Sequence, residues 1–64
     1  MSDRSPRVGE LARDVRRGHV GVYMGMAGPH LMLRPLNGGR EWPVAEGDVR
    51  FLAPEEARRA GVAR

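Results

Sequence analysis

The 64-residue chain offers few side chains that could do covalent chemistry. Its only histidines are His19 and His30, its only serines are Ser2 and Ser5, and Cys, Thr and Lys do not occur. Nucleophilic catalysis needs an activated nucleophile beside a base, and both serines lie in the polar N-terminal stretch, far from any patterned segment. The histidines read as members of one hairpin, near its opposite ends and roughly 20 Å apart at about 3.4 Å per residue. Two ligands so far apart cannot hold one metal ion or act on one substrate atom. Glu41, Glu46, Asp48, Glu55 and Glu56 are scattered through turns and a helix start, and Asp48 is expected to hydrogen-bond within its own turn. Gly18, Gly21 and Gly25 lie inside a strand pattern rather than at the opening of a helix, so they form no phosphate-cradling loop; bends and close strand approach are their expected use. The inventory points to a non-enzymatic protein that needs no cofactor and no metal.

Binding chemistry is better represented. If the central segment forms a hairpin, one register turns His19, Tyr23, Met32, Arg34 and Leu36 to the outside, with Arg16 and Arg17 on the loop leading in. Tyr23 then falls opposite Arg34, where a guanidinium could lie over the ring. An aromatic among arginines is a platform for single-stranded nucleic acid, while Met32 and Leu36 suit a protein partner or a contact with a second copy.

These positions depend on the elements that carry them. From Gly18 to Arg50, apolar residues alternate with others at Val20, Val22, Met24 and Met26, then Leu31 and Leu33, then Trp42 and Val44. Gly, Pro and Asn break the alternation, the pattern of a meandering antiparallel sheet. Treating Ala27–His30 as a four-residue loop sets Met26 opposite Leu31, Met24 opposite Leu33 and Val22 opposite Pro35, an apolar face throughout. A shift by one residue sets Val22 against Arg34 on the core side. Asn37-Gly38-Gly39 supplies Asn-Gly or Gly-Gly for a tight turn, and either choice brings Trp42 and Val44 onto the face of Leu31 and Leu33. Pro43 fits an edge or strand end, Ala45–Asp48 a tight turn and Val49–Phe51 a short closing strand. The segment 7–17 is read as a strand over Gly9–Arg13 leading into a loop, against a short helix on the stripe Val8, Leu11, Ala12 and Val15. In APEEARRAG, Pro54 fits the first helical position, Glu55 and Glu56 the first turn, and Gly61 the stop.

Composition bounds the rest. All eleven basic residues are Arg and the net charge is +3, a mild bias towards polyanions. Gly, Ala, Arg and Pro fill half the chain, which points to GC-rich coding. Without Cys there is no disulfide framework. No apolar run approaches the roughly 20 residues that span a bilayer, and MSDRSPR lacks the apolar core of a signal peptide; a cytoplasmic protein is expected. The organisation read from this is a tail at 1–6, an all-β unit at 7–53 and a short helix with a tail at 54–64.

The order of strand, loop, long hairpin, tight hairpin, short turn and final strand resembles small SH3-like barrels. Gly9-Glu10-Leu11 to Asp14, followed by Arg17-Gly18-His19-Val20-Gly21-Val22, resembles a KOW-type motif, with Arg where that motif has Lys. The whole chain is similar to small SH3-like proteins of actinobacteria. The fold expected is an all-β SH3-like barrel of about five short antiparallel strands with a short C-terminal helix. The function expected is an interaction module for a protein partner or larger complex. The KOW resemblance implies an RNA- or DNA-binding alternative using Arg16, Arg17, Tyr23 and Arg34.

Overall fold

The computed structural model describes residues 6–62. The tails expected at either end therefore lie largely outside the described residues. Five antiparallel strands follow one another: β1 (Leu11–Asp14), β2 (His19–Ala27), β3 (His30–Pro35), β4 (Trp42–Ala45) and β5 (Val49–Phe51). A 3-10 turn over Glu46–Asp48 joins β4 to β5, as the tight turn at Ala45–Asp48 required. Helix α1 (Pro54–Ala57) runs into a π-helical turn over Arg58–Val62. The strands form one sheet in the order β4-β3-β2-β1-β5, so β4 and β5 are its two ends and no ladder closes it.

Strand formation at Leu11–Asp14 decides between the strand and helix readings. Its burial alternates, with Ala12 and Asp14 inside and Leu11 and Arg13 half-buried on the other face. The pairing is extended by the Gly9 N–H donating to the Tyr23 carbonyl and the Tyr23 N–H donating to the Glu10 carbonyl, each at 2.8 Å. Ala12, Tyr23, Leu31, Leu33 and Val44 form the core, with Trp42, Val49 and Phe51 packed around it. A fully buried leucine such as Leu33 contributes about 1.5–3 kcal/mol relative to exposure.

The central hairpin differs from the simple register in one place. Ala27 pairs with His30, leaving a two-residue turn at Gly28-Pro29, and Met26 pairs with Leu31 as expected. Beyond that the register shifts: Gly25 pairs with Met32 and Tyr23 with Leu33, so Met24 is an extra residue, a β-bulge. Gly25 takes φ +116° there, a conformation open to glycine at little cost. The bulge exchanges the two faces of β2. Val22 does pair with Arg34, but on the outer face, while Tyr23 turns inward and is 5% exposed. Val22 and Met24 are only half-buried, and Met26 is exposed rather than a core filler.

The β3–β4 hairpin pairs Leu33 with Trp42 and Leu31 with Val44, the register of the Asn-Gly choice. Its turn is wider than a two-residue loop, with the Gly38 N–H donating to the Pro35 carbonyl. At the C-terminus Pro54 occupies the first turn, and the Glu56 carboxylate accepts the Ala53 N–H at 2.9 Å. The helical turn continues through Gly61 to Val62, so Gly61 is not the expected stop.

Candidate functional site

The organising residue is Asp14, 3% exposed at the end of β1 and, among the described residues, the only carboxylate in any strand. Period-two alternation puts it on the face of Ala12, towards the core, where an unpaired charge would be costly. Both carboxylate oxygens and the backbone carbonyl accept hydrogen bonds. Its Oδ1 accepts the backbone N–H groups of Arg16 and Arg17 at 3.0 and 3.2 Å, and its carbonyl accepts the Gly18 N–H at 2.7 Å. Its Oδ2 accepts the Trp42 Nε1–H at 2.8 Å. One carboxylate thus shapes the turn between β1 and β2 and ties it to β4, three strands away in the sheet order. Burial pushes the Asp14 pKa up, but the Trp42 indole, the Arg17 and Arg16 amides and the Arg17 charge outweigh it and hold the carboxyl below the ordinary aspartate value.

Trp42 is positioned from the other side by the absence of a side chain. A Cβ on Gly21 would lie 2.9 Å from the indole ring and 2.7 Å from the Arg34 carbonyl oxygen. The glycine therefore lets the indole lie against β2. His19 meets the same indole edge-on, with ring centroids 6.5 Å apart.

These contacts build a shallow groove of about 550 Å³ where the β1–β2 turn meets the loop after β3. Arg17, His19 and Asn37 supply its polar lining, and Pro35, Leu36 and Trp42 its apolar lining. Leu36 is 42% exposed there, a substantial apolar surface. Arg17 stays largely in solvent, with its Nε 3.9 Å from Asp14 Oδ2.

The residues expected on one outward face are divided among several places. Arg17, His19 and Leu36 come together in the groove. Arg16 turns instead to Asp48, with Nη1–Oδ2 at 3.8 Å, so the Asp48 side chain meets the β1–β2 turn. Met32 and Arg34 lie on the face of the sheet opposite the core. Tyr23 is a correction: it is in the core, its ring edge-on to Phe51 at 5.4 Å, and it cannot stack on Arg34 or on a ligand. The bulge at Met24 is the cause.

Sequence reasoning placed Trp42 inward and missed its groove edge, and it missed Asp14 as the keystone. Two signals pointed there. A buried indole N–H needs an acceptor, and Asp14 is the one strand carboxylate in phase with Ala12. Among the described residues no three His, Asp or Glu side chains could hold a metal ion, and no helix is long and apolar enough to cross a membrane. No protein-family model, curated protein or solved structure matches the chain.

Proposed function

We propose that the chain is a non-enzymatic, cytoplasmic interaction module of SH3-like build that holds a segment of a partner protein in the groove of Arg17, His19, Leu36 and Trp42. The SH3-like reading is supported by the strand order, by the 3-10 turn before the last strand, and by the Asp14–Trp42 bond that draws β4 over towards β1. The observation that carries the function is Trp42 itself. It is an aromatic anchor fixed by a buried carboxylate, and Pro35, Leu36 and the Arg17 cation line the same groove. Aromatic and arginine side chains in such settings carry much of the binding energy at protein interfaces. Arg17 and His19 favour a partner segment that sets an acidic residue beside an apolar one. With Tyr23 buried, the alternative of nucleic acid held on an arginine–tyrosine face has lost its aromatic.

Capture of partners from the protein's own cells tests this. Leu36→Asp and Arg17→Glu should each release the captured partner, whereas Met32→Asp, off the groove, should retain it. Binding should also shift the NMR resonance of the Trp42 indole N–H. A partner retained by both groove variants would overturn the reading.

A further inference from the structure

We propose that the face of the sheet opposite the core docks on duplex DNA through the phosphate backbone. This surface adjoins the groove, sharing Val20 with it, and three observations carry the inference.

The first is charge. Pairing places Arg13 and Arg50 on neighbouring strands β1 and β5, and Val22 beside Arg34 on β2 and β3, all on the face opposite the core. Leu11 and Val20 fill the positions between them. Among the described residues no carboxylate occupies a strand position on this face, because the only strand carboxylate there, Asp14, points inward.

The second is an unresolved repulsion. Arg13 and Arg50 are direct cross-strand partners, and like charges placed so oppose strand pairing. Glu56 answers only part of this: its Oε2 lies 3.7 Å from Arg50 Nη2, while its Oε1 accepts the Ala53 N–H. Arg13 and Arg34 make no ion pair among the described residues. A polyanion laid across the face would neutralise all three arginines together.

The third observation selects the polyanion. Tyr23, Trp42 and Phe51 all belong to the core side. Among the described residues, the one ring that strand alternation puts on this face, His30, stands at the far end of β3 from Arg34, so the arginine patch itself offers no ring on which unpaired bases could stack. Arg13, Arg34 and Arg50 can donate to a 2′-hydroxyl but cannot accept from it, so they meet only half of what RNA recognition uses. What remains is arginine and aliphatic surface. That chemistry fits phosphates held at fixed spacing on duplex DNA, bound without regard to sequence.

The test is fluorescence anisotropy of the whole chain with a DNA duplex of about 20 base pairs across a salt series, where three neutralised phosphates give a log–log slope of about −2.7. Duplex RNA and single-stranded DNA are parallel arms. Arg13→Gln/Arg34→Gln/Arg50→Gln should weaken duplex binding at least about tenfold and flatten the slope by about 2.7. The charge-matched Arg40→Gln/Arg58→Gln/Arg59→Gln should change affinity less than about threefold. If the first triple variant does not fold by circular dichroism, Arg34→Gln/Arg50→Gln replaces it, with a slope change of about 1.8 expected. Absence of duplex binding at about 50 mM salt would overturn the proposal. So would equal losses in the two triple variants, or tighter binding of either parallel arm.

Discussion

Asp14 concentrates more of this molecule's order than any other side chain, because one carboxylate serves the turn that carries Arg17 and the indole that lines the groove. Hydrogen bonds to a charged group are worth about 1.5–3 kcal/mol, so Asp14→Asn should lower the unfolding free energy by about that amount in urea melts at neutral pH. The Trp42 emission should move to the red as its N–H loses its acceptor. The pH dependence follows from the direction of the Asp14 shift. Its folded pKa lies below the unfolded one, so its contribution is full above the ordinary aspartate value. That contribution is lost as pH falls through the ordinary value towards the folded one, because the unfolded chain takes up the proton first. Melts from about pH 6 down to about pH 2 should show this acid limb, and Asp14→Asn should lack that part of it. An unchanged limb would mean that other carboxylates carry the acid sensitivity. Both partners in the Asp14–Trp42 bond were visible as residue types, but 28 positions separate them, and no local pattern pairs residues over that span.

At the scale of elements, the β2 bulge is the decisive feature. Without it, Tyr23 would face solvent and Val22 the core; with it, a large ring is buried against Phe51. Aromatic side chains bury about 150–250 Å² each, far more than a valine can offer, so the core gains by the exchange. Gly25, at φ +116°, makes the bulge affordable. Gly25→Ala should therefore cost about 1–3 kcal/mol, read in thermal or urea melts, with the largest chemical-shift changes between Tyr23 and Met32. A loss below about 0.5 kcal/mol would show that the bulge does not depend on the glycine. Period-two alternation identified β2, β3 and β4 and the face shared by Leu31, Leu33, Trp42 and Val44. It could not count the extra residue at Met24, although a glycine inside a strand pattern is a recognised sign of a bulge. The 3-10 turn, β5 and the Pro54 helix start were legible because each is marked by its own short-range residue signals.

For the molecule as a whole, a 64-residue chain without cysteine has a thin core and few means of holding an open sheet in its curl. The Asp14–Trp42 bond is one of those means, joining the edge strand β4 to β1. Native-state hydrogen exchange should then show β4 amides losing more protection than β2 amides in Asp14→Asn. Equal losses in both strands would mean that the sheet opens only as a unit. The sequence by itself determined the β-rich class, the approximate places of β2 to β5, the core face of β3 and β4, and the scarcity of catalytic side chains. Each of these depends on residue type or short-range periodicity. Only the tertiary structure decided the phase of β2, the burial of Tyr23, the Asp14 keystone and the separation of Arg17, His19 and Leu36 from Arg13, Arg34 and Arg50. Those outcomes follow from competition for one small interior, which residues distant along the chain settle together.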